Sequence, residues 1–324
     1  MAERDYTIDI LKGIGIMLVI LGHCLEWENP VTRLIYSFHM PLFFLVSGYF
    51  FQKYKIKDQI KKDYNRLIVP YLWVSAIIAF VFIGYTSHDP SFPLLDKIVI
   101  PLLWGAGGPH QQVLVFNQIG AITQMWFLLA LFWGRLVLNL LPNGLGGVFS
   151  AILLSVIATV IGRYVIFLPW DINEGVSAIV FLMIGRNLKT MGTNRLFTFI
   201  CIVLWITSLF YFNLSMGNCC YDCYPIQVLG ATGGTIAIYY LSKMLLKIGL
   251  LNTAFIWLGM NSMAILCVHT LETHTGLWKM VGINQQSIMV FPVKVAICCI
   301  VVYMLGKWSY TKKILGIKTY LNNI

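Results

Sequence analysis

Apolar stretches long enough to cross a bilayer recur along the whole chain, separated by shorter polar connections. A membrane-spanning helix needs about 20 mostly apolar residues, and we count ten stretches near that length. They run approximately over 7–26, 33–51, 67–85, 121–141, 147–167, 175–188, 196–214, 225–245, 253–271 and 289–306. The pattern predicts an all-α protein, a polytopic transmembrane helical bundle of about ten spans in which residues 1–324 form a single domain.

The clusters of basic residues at the ends of these stretches all fall on one side of the predicted membrane. They follow the second, sixth, eighth and tenth spans: Lys53, Lys55, Lys57, Lys61, Lys62 and Arg66; Arg186, Lys189 and Arg195; Lys243 and Lys247; Lys307, Lys312, Lys313 and Lys318. An even number of spans separates each cluster from the N-terminus, so all share its side. Because cytoplasmic loops are enriched in Lys and Arg, both termini are predicted to be cytoplasmic.

The composition agrees with a membrane protein. Of the 324 residues, 58% are hydrophobic and 11% are charged, whereas soluble domains have about 25% charged residues. The net charge of +10 has the sign that nucleic-acid binding requires. Its confinement to one set of loops is explained by topology, so no nucleic-acid partner is predicted. The first apolar stretch lacks a small-x-small cleavage site, and no cleavable signal peptide is expected.

Ionisable residues lie within the first stretch, among them Asp9, Lys12 and His23. Asp9 and Lys12 are three residues apart and can pair on one helix face. His23 follows Lys12 near the same face, about 16 Å further along the axis. Ionisable residues inside a lipid-spanning helix usually face protein or a water-filled cavity. Lys12 could instead be a topology anchor that reaches the cytoplasmic surface, although such an anchor does not need the carboxylate of Asp9.

Further polar residues are predicted in the second and ninth stretches, and the histidines among them lie near the depth of His23. The second stretch contains His39 and Pro41, which is expected to kink the helix. The first two spans are joined by a short loop and pack antiparallel, so His23 and His39 are expected to share a polar cavity. Taken alone, His39 is better explained as a core histidine bonded to a carbonyl. The ninth stretch places Ser262 near its cytoplasmic half, where polar residues often join helices, and His269 near its outer end.

Three other candidates have two open interpretations each. Arg163 lies near the outer end of the fifth stretch, and Glu174 lies just before the sixth. Either could orient a polar ligand or be an ordinary interfacial charge. Trp126 in the fourth stretch is by default a packing or lipid-contact residue. His88, His110 and His274 fall in predicted loops and are assigned no role.

The eight cysteines form no CxxC…CxxC pattern, and no metal site is predicted. Five lie in apolar stretches and are expected to pack as small hydrophobic residues. Cys219, Cys220 and Cys223 cluster in one outer loop. One local disulfide and one remaining thiol are predicted there.

The basic loop after the second stretch ends in a cluster suited to phosphate. Lys61, Lys62 and Arg66 stand at the mouth of the third span, and Arg is suited to bidentate phosphate contacts. The sequence contains no G-x-S-x-G, HExxH, Walker or Rossmann motif. A neutral imidazole such as His23 is suited to accept a proton from a hydroxyl near pH 7. These features favour direct acyl transfer from an activated thioester to an alcohol.

These residues carry a resemblance to the integral membrane acyltransferase-3 family, and within it to the fucose 4-O-acetylase-like subgroup. The family's basic residue followed ten residues later by His matches Lys12 and His23. Three further family motifs follow in order along the chain: FFxxSG at Phe43, Phe44, Ser47 and Gly48; WFL at Trp126, Phe127 and Leu128; and GxxS…H at Gly259, Ser262 and His269. The family's RxxR motif is incomplete, because Asp63 stands where the first Arg is expected, three residues before Arg66.

The resemblance implies a reaction and its partners. It implies acetyl-CoA as co-substrate bound from the cytosol, a hydroxyl acceptor that is usually a cell-surface or lipid-linked glycan, His23 as the catalytic centre, and the inner membrane of a bacterium as location. In our interpretation Lys12 and Asp9 assist His23, and Ser47 is a candidate oxyanion donor beside the CoA site at Arg66, Lys61 and Lys62. Candidate substrate-binding residues are His39, Trp126, Arg163, Glu174, Ser262 and His269.

Two alternatives remain. One is the same reaction with another acyl donor or a small-molecule acceptor. The other is a proton-coupled transporter, because such carriers also use intramembrane Lys and His residues. Transporters often have two related halves, and the sequence has no such symmetry. The oligomeric state is left open.

Overall fold

The computed structural model describes residues 4–86, 89, 91–111, 118–121, 124–275 and 277–318. His88 lies outside these residues. The α-helices are α1 (Tyr6–Gly22), α2 (Pro30–Tyr36), α3 (His39–Tyr49), α4 (Ile56–Asp63), α5 (Val69–Thr86), α6 (Ile100–Trp104), α7 (Trp126–Leu140), α8 (Leu145–Tyr164), α9 (Ile172–Ser177), α10 (Ile179–Met191), α11 (Arg195–Tyr211), α12 (Tyr224–Leu245), α13 (Gly249–Met260), α14 (Ser262–His274), α15 (Leu277–Met280), α16 (Phe291–Leu305) and α17 (Ser309–Leu315). The all-α prediction is confirmed.

Two short antiparallel hairpins accompany the helices. Strand β1 (His110–Gln111) pairs with β2 (Gln118–Ile119), and β3 (Leu214–Ser215) pairs with β4 (Cys220–Tyr221). The β3–β4 hairpin lies between α11 and α12. The β1–β2 hairpin lies in the long connection before α7.

Every predicted span contains a helix, but the helices differ in length. In the described part of the chain, three helical segments are long and apolar enough to cross a membrane singly. They are Ile56–Thr86, which runs through α4 and α5, Leu145–Tyr164, which is α8, and Ile288–Leu305, which contains α16. A fourth crossing is possible where Leu251–Met260 and Ser262–His274 meet at a 75° bend. These helices support a membrane protein. The count of ten spans and the cytoplasmic termini stay predictions.

Two predicted spans are interrupted where the site is built. The second is divided between α2 and α3, because Phe38 leaves helical geometry with φ −149°. The break therefore precedes Pro41, which lies within the first turn of α3. The ninth span bends at Asn261. Its side-chain Nδ2 donates to the Trp257 carbonyl at 3.0 Å, and its Oδ1 accepts from the backbone N–H of Lys318 at 2.8 Å.

Glycines allow the helices around the site to approach closely. Gly259 of α13 packs on α1, and a Cβ there would overlap the Asp9 carbonyl. Gly48 of α3 packs on α10, where a Cβ would overlap the Leu182 carbonyl. Small residues at such crossings bring backbones together in membrane proteins. Gly48 and Gly259 both belong to the family motifs, and here they serve helix packing.

Candidate active site

Two cavities lie on opposite sides of one wall of side chains. Val19, Met40 and Leu266 line both cavities and form this shared wall. The first, the polar cavity, has a volume of about 310 Å³ and contains His23. The second, the apolar cavity, has a volume of about 220 Å³ and contains Lys12. Both residues project from α1, with Lys12 towards its beginning and His23 at its C-cap.

The polar cavity gathers histidines from three helix ends. His23 caps α1, His39 begins α3 and His274 ends α14. His39 is buried, and its Nδ1 lies 2.9 Å from the Ile35 carbonyl. Trp126, the first residue of α7, also lines the cavity. The structure thus brings His23 and His39 together, and it corrects the placement of His274, which is helical and faces the cavity rather than lying in a loop.

Behind His23 lies a buried polar network. The His23 and His269 ring centres are 5.4 Å apart. His269 Nδ1 is 2.7 Å from Glu272 Oε1, and the Trp278 Nε1–H donates to Glu272 Oε2. Lys294 Nζ lies 3.4 Å from Glu272 Oε1, and the Lys294 side chain is fully buried. A His269 that donates Nδ1–H to Glu272 presents the lone pair of Nε2, which is buried and has no hydrogen-bond partner among the residues that the structure describes.

The apolar cavity lies towards the beginning of α1. Lys12 lines it, and Lys12 Nζ is 2.8 Å from Asp9 Oδ1, the pairing expected from the i,i+3 spacing. Asp9 is buried, and its Oδ2 accepts a hydrogen bond from Arg4 Nε at 2.6 Å. Ser47 and Ser262 also face this cavity, whose other lining side chains are apolar: Ile16, Val19, Met40, Phe43, Val46, Phe50, Leu67, Phe127, Leu128, Leu131, Met263 and Leu266. The arrangement suits a slender ligand with few polar groups.

An arginine that sequence analysis missed fixes Ser47. Arg135 of α7 donates to Ser47 Oγ at 3.0 Å and to Asp63 Oδ2 at 2.9 Å. Asp63 is buried and also accepts from Gln59 Nε2. The Asp that replaces the first Arg of the family's RxxR motif is therefore turned inward, where it neutralises Arg135.

The predicted basic loop is helical here: Lys61 and Lys62 lie in α4, and Arg66 lies in the π-helical turn that joins α4 to α5. Arg66 and Lys61 are exposed. Lys62 donates to the Tyr54 hydroxyl at 2.8 Å and lies over the Tyr54 ring. None of the three lines the apolar cavity. The positive rim exists, but the structure does not bring it into contact with Lys12.

Glu174 belongs to a separate buried cluster outside the predicted spans. Glu174 and Asp171 are fully buried, and their carboxylate oxygens have no hydrogen-bond partner within the described residues. Burial raises the pKa of Glu174 to about 8, and burial together with Glu174 raises the pKa of Asp171. The pKa of His110, 3.6 Å from Glu174, is lowered by burial to about 4. Near pH 7 His110 and Glu174 are therefore both neutral and form no ion pair.

The structure places Arg163 of α8 away from both cavities and changes the expectation for the cysteine cluster. Arg163 is exposed and contacts Cys220 rather than either cavity. Cys219, Cys220 and Cys223 are all free thiols, so the predicted local disulfide is absent. Cys219 is buried beside Glu174, while Cys220 faces Arg163 and Asp222. The two side chains therefore lie in different surroundings.

Several residues of the site escaped sequence analysis although the sequence contained a signal for them. Glu272 follows His269 by three residues and therefore shares its helix face. Lys294 interrupts the apolar run of α16, and an ionisable residue in such a run is a candidate functional group. Arg135 interrupts the apolar run of α7 in the same way, whereas His110 carried no comparable local signal.

A helical protein with a histidine-lined cavity separated from an apolar cavity by one layer of side chains has the features of a membrane acyl-transfer enzyme. The chain belongs to the acyltransferase-3 family, since the model of its acyltransferase domain matches residues 5–307. This confirms the family resemblance carried by the four motifs.

Curated relatives match only part of the chain. The nodulation protein NolL of Sinorhizobium fredii is 47% identical over 57 aligned residues, which cover 14% of this chain and 16% of the relative. NolL of Mesorhizobium japonicum is 46% identical over 57 residues, covering 14% of this chain and 15% of the relative. The matches thus span less than a fifth of either relative's length. No solved structure matches the chain significantly.

Proposed function

We propose that this acyltransferase moves an acetyl group from acetyl-CoA to a hydroxyl of a cell-surface or lipid-linked glycan in the bacterial inner membrane. The observation that carries the proposal is the shared wall between the two cavities. It places a thioester in the apolar cavity and a hydroxyl acceptor in the polar cavity on the two sides of one layer of side chains, and the two groups meet when Val19 or Met40 moves aside.

The apolar cavity has the character needed for the donor's arm. Pantetheine is long and thin, and a lining that is apolar except for Lys12, Ser47 and Ser262 fits it. The phosphates of the donor then lie towards the exposed rim of Arg66, Lys61 and Lys62, where Lys and Arg are suited to bind them. With cytoplasmic termini, this rim faces the cytosol that supplies acetyl-CoA. Met40 has an unbranched, flexible side chain that can yield at the wall.

The chemical step requires one proton acceptor. His23 takes the proton of the acceptor hydroxyl as its oxygen attacks the thioester carbonyl. The carbon–sulfur bond then breaks, and the departing thiolate receives that proton and leaves as CoA. The developing oxyanion needs a hydrogen-bond donor, and Ser47, held by Arg135, is our candidate.

His269 and Glu272 support His23 in this proposal. The contact of Glu272 with His269 Nδ1 selects the tautomer that leaves Nε2 as an acceptor on the buried side. A carboxylate that orients a histidine and stabilises its charged form is a recurrent catalytic arrangement. His269 is thus a positioning residue for His23, rather than the substrate-binding residue of the initial interpretation.

The proposal is tested with purified protein in lipid nanodiscs, labelled acetyl-CoA and candidate glycans. His23→Ala should abolish acetyl transfer while the protein stays monodisperse and keeps the melting temperature of the parent. The control is Leu21→Ala, which changes a side chain two residues away on the same helix end and should leave transfer intact.

Three results would redirect the proposal. Acetyl transfer that survives in His23→Ala would remove the mechanism. Transfer from succinyl-CoA in place of acetyl-CoA, or to a small metabolite, would keep the mechanism and change a substrate. Uptake of a solute by proteoliposomes, with no ester formed, would instead identify a transporter.

A further inference from the structure

A third cavity, which we call the outer groove, adjoins the polar cavity. It has a volume of about 600 Å³ and is lined by residues from the α1–α2 connection, α2 and the end of α11. Trp27, Tyr36, Leu214 and Ser215 line both the outer groove and the polar cavity. A ligand larger than one sugar ring that extends from His23 into the groove therefore passes these four side chains.

The junction of the two cavities presents an aromatic surface. The rings of Trp27 and Tyr36 lie 4.7 Å apart at an interplanar angle of 51°. Trp27 is 66% exposed, so one face of its ring is accessible at this junction. The apolar face of a pyranose ring can pack on such a side chain.

The groove also contains a cation with no partner of its own. Arg33, in the last turn of α2, lines the groove, and its Nε is buried without a hydrogen-bond partner. Within the described residues Arg33 forms no ion pair. Glu28 is the other charged residue of the lining, and it is exposed to water. Arg33 as a whole is half-buried, and a bound anion would pair with the part of its guanidinium that reaches the groove.

We infer that the outer groove binds the part of the acceptor next to the acetylated sugar, and that this part carries an anionic group. One pyranose ring packs on Trp27, and a carboxylate or phosphate of the same segment pairs with Arg33. Glu28 accepts hydrogen bonds from sugar hydroxyls. The inference rests on the proposed function, because it names the acceptor class of the same site: an acidic glycan of at least two sugars.

The experiment measures binding rather than turnover. His23→Ala protein in nanodiscs is titrated with three probes. Two are anionic: oligogalacturonic acid, which carries carboxylates, and an oligosaccharide that carries a phosphate as its only charged group. The third is the neutral oligosaccharide obtained by reducing the carboxyl groups of oligogalacturonic acid. Binding is followed by tryptophan fluorescence and calorimetry. We expect at least one anionic probe to bind about tenfold more tightly than the neutral one, since charge-assisted contacts are the stronger ones. Raised salt should narrow this difference. Whichever anionic probe binds more tightly shows whether the groove prefers a carboxylate or a phosphate.

Variants separate the two contacts. Arg33→Ala should remove the preference for anions, and Arg33→Lys should keep part of it. Trp27→Ala should weaken binding of every probe about tenfold, while Trp27→Phe should restore most of it. Lys97→Ala, which removes an exposed cation outside all of the cavities described here, is the matched control and should change nothing.

The outcomes also separate this inference from the proposed function. Equal binding of anionic and neutral probes, or a preference that persists in both Arg33 variants, overturns the inference. Acetyl transfer by the parent protein with no anion preference leaves the proposed function standing alone. Anion-selective glycan binding without any acetyl transfer supports the groove and contradicts the proposed reaction.

Discussion

Glu272 holds together the buried polar network behind His23, so its replacement should affect both stability and turnover. Its carboxylate accepts from Trp278 Nε1, contacts His269 Nδ1 at 2.7 Å and lies 3.4 Å from Lys294 Nζ. Glu272→Gln keeps the shape and one carbonyl oxygen but removes the charge. Lys294, fully buried, then has no counter-charge.

The size of the effect follows from this burial. Removing one partner of a buried ion pair costs about 3–5 kcal/mol, because the remaining charge is left uncompensated. Glu272→Gln should therefore lower the free energy of unfolding by about 3 kcal/mol or more. Lys294→Met in the same protein removes the stranded charge and should recover most of the loss, so the two changes should be strongly non-additive.

Turnover should respond differently from stability. Without the carboxylate, His269 is no longer held in one tautomer, and the rate of acetyl transfer should fall about 10²–10⁴-fold, the usual range for general acid–base assistance. The double variant should regain stability but not this rate. Denaturant unfolding in detergent and initial rates in nanodiscs measure the two quantities.

The reasoning is refuted by either of two results. One is a Glu272→Gln protein that unfolds at the parent's denaturant concentration. The other is a double variant whose rate recovers along with its stability, since the network would then serve packing alone.

Three further predictions concern packing, pH and donor binding. Gly48→Ala should destabilise the protein by about 1–3 kcal/mol or more, because its Cβ would overlap the Leu182 carbonyl. The control is Gly84→Ala, whose Cβ would meet open space. Equal melting temperatures of the two variants would contradict the close packing at Gly48. The raised pKa of Glu174, about 8 against the ordinary 4.5, means that the folded protein keeps a proton that the unfolded chain releases. The free energy of unfolding should therefore fall as pH rises between these two pKa values, by up to about 1.4 kcal/mol per pH unit. In Glu174→Gln, denaturant unfolding should show a smaller fall over the same pH range. The same pH dependence in parent and variant would count against a protonated Glu174. Arg66→Ala should raise the apparent KM for acetyl-CoA with little change in kcat, and unchanged donor dependence would remove Arg66 from the phosphate rim.

Local spacing explains which parts of the site could be predicted. The Asp9–Lys12 ion pair follows from a helix that brings residues three apart onto one face. The neighbourhood of His23 and His39 follows from a short connection between two antiparallel segments. The break at Phe38 and the bend at Asn261 were not predicted, because an apolar stretch of the right length gives little indication of where its helix is interrupted.

Distant contacts explain what could not be predicted. Arg135 reaches both Ser47 and Asp63 only because α7 packs beside α3 and α4. In the sequence alone, Asp63 only marks the position where the family's RxxR motif lacks its first arginine. In the structure it is the counter-charge of another arginine.

The sequence by itself determined a helical membrane protein and the helix that presents Lys12 and His23, because apolar length and helical period are properties of neighbouring residues. Its four motifs carried the resemblance to the acyltransferase-3 family. Only the tertiary structure decided that His269, Glu272 and Lys294 stand behind His23, and that one layer of side chains divides two cavities. Those arrangements depend on which helices pack together, and side chains far apart in the chain acquire common surroundings only through that packing.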